Sequence, residues 1–335
     1  MENMGSKREN WVDIAKGIGI VLVVMGHACC PKIPHGIIYS FHMPLFFFLS
    51  GFFISRQCKN DFYTYLKKNI KSLLLPYFYF NLISIAFNYI MSIIFHKELL
   101  VGNVSNNFIG IFIGMRWGAQ YHHVLWFLPC LFFAKMLIYP VFKYVNGGGK
   151  WIIGIMFLLI GLSYSKWEIK PLPMSLDASL IAAFFIICGN YYMKTKEIIN
   201  KLVRRYWQLV LIVALFSIAF NFNKVEMYEM NYGNCLLFLL GSISSILLIC
   251  SLSANISCDF KICSIIMEYG KLSLIVFAMH YYCLFIPITL KNRLLSNSLL
   301  WQDYIYWVIS ILLGLILVLP ISKFINTNVK WLAGK

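Results

Sequence analysis

Ten apolar runs, separated by short polar segments, constrain the fold of this chain more than any other feature. A bilayer's hydrocarbon core takes about 20 apolar residues per helix, and only helices or closed barrels satisfy the backbone there. The runs are continuous rather than alternating in polarity, which favours helices. We therefore predict an all-α polytopic membrane protein with about ten spans, at 12–30, 37–55, 72–95, 123–145, 151–165, 175–193, 207–222, 234–255, 266–290 and 303–325. The fifth span is short and the segment near 108–115 is a candidate re-entrant piece, so counts of nine or eleven are the alternatives.

The composition excludes an ordinary soluble protein. Hydrophobic residues make up 60% of the chain and charged residues 13%, whereas soluble domains have roughly 45–50% and about 25%. No segment between the runs is long enough to fold by itself, so we predict one membrane-embedded domain over residues 1–335.

The positions of the basic residues predict the orientation. With the N-terminus inside, the inner segments hold more than twice as many Lys and Arg as the outer loops, which indicates cytoplasmic termini at both ends. This bias accounts for most of the net charge of +16 without a nucleic-acid partner. The ten cysteines show no spacing typical of a metal site, and we expect no metal.

The first span contains polar residues that are costly in hydrocarbon. Residues of a helix turn by about 100° and rise by about 1.5 Å each, so Lys16 and His27 share a face to within about 20°. Asp13 lies close to the same face, about 20 Å from His27 along the axis. The two charges have two equally acceptable interpretations. They belong to a functional site, or they form a purely structural ion pair between Asp13 and Lys16 at the membrane boundary.

Histidines concentrate in the half of the membrane that the orientation rule makes the outer half. His27 lies near the outer end of the first span, His35 in the predicted first outer loop, His42 about one turn into the second span, and His280 past the middle of the ninth. A single histidine at a helix end is often only a hydrogen-bonded core residue. Because His27 and His42 flank one short turn, we predict that they face a shared cavity.

These positions suggest a reaction. A neutral imidazole can take the proton of an alcohol as it attacks an activated acyl group. Basic residues at the other end could hold a phosphate-bearing donor. We therefore predict acyl transfer across the bilayer. The alternative is a proton-coupled transporter or exporter of a glycan or small metabolite, in which the buried His and Asp side chains relay protons.

Several motifs resemble the acyltransferase family 3 of integral membrane O-acyltransferases. They are Arg8-x4-Asp13-x2-Lys16-Gly17 followed by His27, FHMPLFFFLSGFF at 41–53, Lys68-x2-Lys71 before LLLPYF, WFLP at 126–129, LPMSLDA at 172–178 and GKLSLIVFAMH at 270–280. Within the family, the pattern is most similar to the fucose 4-O-acetylase-related group.

The resemblance implies a ten-helix bundle, acetyl-CoA or another acyl-CoA as cytoplasmic donor, and a saccharide hydroxyl as acceptor. It also implies that His27 is the catalytic residue, either as a general base or as a transient acyl carrier, and that Arg8, Asp13 and Lys16 bind the donor and hold the helix. Lys68 and Lys71 are further candidates for donor binding. From their positions, His42 and Asp13 are added to His27 as catalytic candidates. At Lys68 and Lys71, many members of the family have arginine instead. Lysine keeps the positive charge but cannot form the two parallel hydrogen bonds by which an arginine binds a phosphate. No appended SGNH-type domain is expected.

Three further residues are candidates for the substrate cavity: Trp126, Asp177 and His280. An interfacial aromatic belt explains Trp126 almost as well, and Asp177 could be a favourable charge at a helix start. We expect a multi-pass protein of the plasma membrane, which is the inner membrane in a bacterium. Its expected partners are the lipid bilayer, the acyl-CoA and the saccharide, with a homo-oligomer left open.

Overall fold

The structure is a computed structural model that describes residues 9–95, 110–113, 123–167, 170–256, 260–294 and 299–335. In the first half of these ranges, the helices of eight residues or more are α1 Asn10–His27, α2 Lys32–Tyr39, α3 His42–Ser50, α4 Phe62–Asn69, α5 Leu75–Phe95, α6 Phe127–Tyr144 and α7 Gly149–Tyr164. In the second half they are α8 Ala178–Arg205, α9 Trp207–Phe220, α10 Cys235–Asn255, α11 Lys261–Lys271, α12 Ser273–Leu294 and α13 Leu300–Asn328.

Membrane-spanning helices account for most of the described chain. Eight helical segments there are long and apolar enough to cross a membrane, judged by length and composition, and α7 and α9 are shorter apolar helices of 16 and 14 residues. Each of these ten segments overlaps one of the ten predicted spans, with bounds that differ by up to about twelve residues. The prediction of an all-α polytopic membrane protein is therefore confirmed.

The chain packs as two compact units. The first comprises the chain up to Leu49, Thr195–Asn223 and Leu236–Lys323. The second comprises Ser50–Lys194, Lys224–Cys235 and Phe324–Lys335. The prediction of one domain over the whole chain is not tested by this division and stays a prediction.

The prediction of an outer loop between the first two spans is wrong, because the segment PKIPHG, residues 31–36, is helical from Lys32 onward. Helix α2 starts at Lys32, after Pro31 in extended conformation, so His35 is helical rather than in a loop. Two prolines suggested a break, but the first turn of a helix has N–H groups without intrahelical partners, and Pro34 lies in that turn. His35, Tyr39 and His42 consequently follow one another along a nearly continuous helical path.

The ninth predicted span is divided into α11 and α12 at Leu272, which has φ −103° and ψ 10°. Helix α11 packs closely against α1 through two glycines. A Cβ at Gly270 would overlap the carbonyl oxygen of Asp13, and one at Gly17 would overlap the carbonyl oxygen of Ile266. Only small residues allow helix backbones to approach in this way.

The loop between α9 and α10 contains an ordered segment, Lys224–Cys235, which belongs to the second unit. Glu226 and Asn231 form an antiparallel bridge with N···O distances of 2.7 and 3.0 Å in its two hydrogen bonds. Val225, Met227 and Met230 are buried beneath it, and Tyr228 lies 6.1 Å from Trp126 between ring centroids. The loop therefore packs on the turn that precedes α6.

Candidate active site

Helix α1 carries three of the predicted site residues on one continuous helix, as the sequence indicates. Asp13 lies in its first turn and is 3% exposed, Lys16 is half-buried, and His27 is the last helical residue. The helix has its C-terminal, partially negative end at His27, which favours a positive charge there. An imidazolium formed at His27 during a reaction would be stabilised by this end.

A proline sets the geometry of the second span beside His27. Pro44 has no N–H group to donate to the carbonyl of Ser40, four residues earlier, and the helical path breaks at Ser40 and Phe41. The carbonyl oxygen of Ser40 instead accepts a hydrogen bond from the Ser242 hydroxyl of α10, at 2.8 Å. Helix α10 thus fastens the break between α2 and α3 in place.

Tyr39 is the centre of the histidine cluster. Its hydroxyl lies 3.5 Å from Nδ1 of His27, its ring stacks on His35 at 3.8 Å between centroids, and its centroid is 4.8 Å from that of His42. Gly26 permits this arrangement, since a Cβ there would lie 3.1 Å from the Tyr39 ring. The predicted neighbours His27 and His42 both contact Tyr39.

His280 of α12 completes the cluster. Its ring centroid lies 5.3 Å from that of His27, and the residue is fully buried. The structure therefore brings together three of the predicted residues, His27, His42 and His280, within the first unit. Asp13 and Lys16 belong to the same unit, one to two helical turns from the start of α1.

Backbone contacts determine the tautomers of two of these imidazoles. Nδ1 of His42 lies 2.8 Å from the carbonyl oxygen of Ile38, and Nδ1 of His280 lies 2.7 Å from that of Phe277. A carbonyl oxygen only accepts hydrogen bonds, so each Nδ1 carries the proton and donates it. In the neutral forms, Nε2 of both rings holds a lone pair and can accept a proton.

Neighbouring elements hold the end of α1 and the start of α2, next to His27 and Tyr39. The Trp307 indole of α13 donates a hydrogen bond to the carbonyl oxygen of Met25, at 2.9 Å. Asn223, just after α9, forms a side-chain hydrogen bond with His35. The last turn of α1 and the first turns of α2 are therefore each held by a second helix or loop of the first unit.

The N-terminal end of α1 also has ordered polar contacts. Lys196 forms an ion pair with Glu9 at 2.7 Å, and the Trp11 indole donates to the same carboxylate. Burial disfavours the charge on Glu9, but the hydrogen bonds from Lys196 and Trp11 outweigh it and lower the pKa of this carboxyl. Arg8, the first predicted donor-binding residue, lies outside the described residues.

The remaining predicted residues belong to the second unit. Lys68 and Lys71 are exposed and lie at a π-helical segment, Ile70–Leu74, that joins α4 to α5. Such insertions occur often at functional sites. Gly334, with φ +69°, packs directly against the backbone of Lys71.

Asp177 and Trp126 are both buried. Asp177 is fully buried, and its carboxylate accepts hydrogen bonds from the N–H groups of Leu172 at 2.9 Å and Ala178 at 2.7 Å. This fastens the preceding loop to the start of α8, which accords with a charge at a helix start. Trp126 is 6% exposed and contacts Tyr228.

Tyr39 is the site residue that the sequence analysis missed. Residues 35, 39 and 42 are spaced to share one face of a helix, and this spacing could have revealed the cluster if PKIPHG had been predicted as helical. Among the described residues, no group of three or more His, Cys, Asp and Glu side chains could hold a metal ion.

Comparison with protein families identifies the class to which this fold and site belong. The family model described as an acyltransferase domain matches residues 9–323, nearly the whole chain. The chain belongs to this family, the acyltransferase family 3, and is a multi-pass membrane acyltransferase. Comparisons with curated proteins and with solved structures gave no match.

Proposed function

We propose that this protein transfers an acyl group, preferably acetyl from acetyl-CoA, to a hydroxyl of a cell-surface or lipid-linked saccharide. The observation that carries the proposal is the cluster of His27, Tyr39 and His280 at the far end of the helix that bears Asp13 and Lys16. Within the family, the motifs favour the fucose 4-O-acetylase-related group. The membrane would be the plasma membrane, which is the inner membrane of a bacterium.

His27 is the general base in this mechanism. The Tyr39 hydroxyl lies 3.5 Å from its Nδ1 and can accept a hydrogen bond there. The proposed tautomer carries the proton on Nδ1, so that Nε2 holds the lone pair that removes the proton of the saccharide hydroxyl. The hydroxyl oxygen bonds to the acyl carbon as the C–S bond of the thioester breaks. The proton then passes from His27 to the departing CoA thiolate, and the products are the acylated saccharide and free CoA.

The donor and acceptor reach this site from opposite sides. Arg8, Lys16, Lys68 and Lys71 are proposed to bind the phosphates of the acyl-CoA on the cytoplasmic side, where their positive charge favours anions. His42, whose neutral Nε2 holds a lone pair, is proposed to assist His27 as a hydrogen-bond acceptor. Trp126, Asp177 and His280 remain proposed cavity residues, and family membership favours acyl transfer over the transporter alternative.

The first test is the replacement His27→Ala in membranes supplied with radiolabelled acetyl-CoA and surface glycan. General base catalysis contributes typically 10²–10⁴-fold, so we expect the rate of O-acetylation to fall by about that factor. The matched control is His96→Ala, since the sequence places His96 in a loop. Normal acetylation by a folded, inserted His27→Ala protein would refute the mechanism.

A second measurement distinguishes a base from an acyl carrier. If His27 is a base, labelled acetyl-CoA without an acceptor should leave the protein unlabelled. A labelled protein that loses the label in His27→Ala would instead show an acyl-imidazole intermediate. Comparison of glycan NMR spectra from a deletion strain and its parent would identify the acyl group and the hydroxyl.

A further inference from the structure

In the first unit, the end of α8 and the start of α9 lie beside α10. A groove of about 430 Å³ opens there to the surface. Six of its lining residues are apolar: Val203, Trp207, Leu211, Leu248, Ile249 and Leu252. Arg204 and Asn255 complete one end.

The groove changes from charged to apolar along its length. Asn255 on α10 contacts Arg204 on α8, whereas Leu248, two helical turns before Asn255, lines the groove together with Leu211 on α9. The charged end therefore lies at the C-terminus of α10, and the apolar end points toward the middle of that helix. A phospholipid has the same order, with a charged headgroup followed by an acyl chain.

Arg204 is held at the mouth of the groove. One Nη1–H donates to Oδ1 of Asn255 at 3.1 Å, and Nε–H donates to the carbonyl oxygen of Asn200 at 3.4 Å. Both acceptors are neutral, and in the described part of the chain no carboxylate forms an ion pair with Arg204. The other guanidinium N–H groups have the geometry that binds a phosphate by two parallel hydrogen bonds.

The surroundings strengthen the preference for an anion. Lys201, about one helical turn before Arg204, is exposed, and the loop charges assign this end of α8 to the cytoplasmic face. The cytoplasmic leaflet is the one whose anionic lipids attract basic residues next to the membrane. Trp207, at the start of α9, is 51% exposed and suits the headgroup level of a bilayer.

We propose that this groove binds an anionic phospholipid of the cytoplasmic leaflet, with the phosphate on Arg204 and one acyl chain between α9 and α10. The bound lipid joins the two helices along their exposed sides. Helix α10 also holds Ser40 through Ser242, so the lipid stabilises the helix that supports the break between α2 and α3.

Native mass spectrometry of the detergent-purified full-length protein tests the proposal. Phosphatidylglycerol and phosphatidylcholine with identical acyl chains are added separately, and the bound lipid per protein is measured. We expect phosphatidylglycerol to bind more tightly, and Arg204→Gln to weaken it about tenfold because a charge-assisted hydrogen-bond pair is lost. Arg205→Gln is the matched control, since Arg205 is adjacent, stacks on Tyr206 and does not line the groove.

A second pair of variants tests the apolar part of the site. Leu252→Trp should fill the groove and reduce phosphatidylglycerol binding with Arg204 intact, whereas Ile212→Trp, on α9 but outside the groove, should not. The proposal is overturned if both lipids bind equally, or if Arg204→Gln and Arg205→Gln behave alike. It also fails if inorganic phosphate alone displaces the lipid, or if a second copy of the chain occupies the groove.

Discussion

At the scale of single residues, the phenol of Tyr39 controls what His27 can do. The imidazole can remove a proton through Nε2 only if Nδ1 carries the other proton, and the Tyr39 oxygen is placed to accept a hydrogen bond from it. The same contact persists when His27 becomes an imidazolium. In the proposed mechanism, Tyr39 is therefore a positioning residue that acts through His27.

Replacement of Tyr39 by Phe should separate this role from packing. The ring stacked on His35 is retained, but the hydroxyl near His27 is lost. We expect kcat to fall about tenfold, in line with the loss of about one hydrogen bond, and KM for acetyl-CoA to stay unchanged. Steady-state kinetics in vesicles would measure both constants.

The control for this replacement is Tyr191→Phe, since Tyr191 is 48% exposed in the second unit. An unchanged kcat in Tyr39→Phe, or an equal loss in both variants, would contradict the positioning role.

At the scale of elements, the packing of α11 on α1 depends on Gly270. A Cβ at this position would overlap the Asp13 carbonyl oxygen, a backbone atom that cannot move aside alone. Asp13 belongs to the same helix as His27, so separation of the two helices would disturb the site as well as the packing.

Gly270→Ala should therefore lower both thermal stability and activity. Overpacking of a close contact costs typically 1–3 kcal/mol, so we expect a clear decrease in the Tm of the purified protein. Gly148→Ala is the control, because a Cβ there meets nothing within 4 Å. Equal Tm values for the two variants would argue against the close approach of α11.

The loop between α9 and α10 should make stability depend on pH. Burial, with the nearby charge of Glu229, raises the pKa of Glu226 to about 7, from an ordinary value of 4.5. A carboxyl with a raised pKa stabilises the fold fully below its unfolded pKa, and this contribution is lost as the pH rises through the folded value.

We expect the Tm to decrease between pH 5 and pH 8, and Glu226→Gln to reduce that decrease because its amide does not titrate. Glu229→Gln should reduce it partly, since it removes the neighbouring charge. The interpretation fails if Glu226→Gln leaves the difference between the two pH values unchanged.

At the scale of the whole molecule, the topology can be tested by cysteine labelling. In a variant without native cysteines, Lys224→Cys should react with an impermeant maleimide in intact cells. Asn60→Cys should react only after the membrane is opened, because the loop charges place it inside. Both positions are exposed, and labelling of both from outside would contradict the orientation.

The sequence predicted the spans well because an apolar run of membrane length has few alternatives in lipid. It also placed Asp13, Lys16 and His27 on one helix, since their spacing follows from helix geometry. The helical start at Lys32 could not be predicted, because a proline in a first turn resembles a proline in a loop. The contacts of Tyr39 and His280 with His27 depend on tertiary packing, which no local pattern encodes.

The short helices α7 and α9 have a consequence for the membrane itself. With 16 and 14 residues they measure about 24 and 21 Å, less than the hydrocarbon thickness of about 30 Å. A bilayer adapts to such helices by thinning around them, at a modest cost per ångström. Such thinning would bring the two aqueous compartments closer together, and the acyl group that we propose to cross the membrane would have a shorter barrier than an undisturbed bilayer presents.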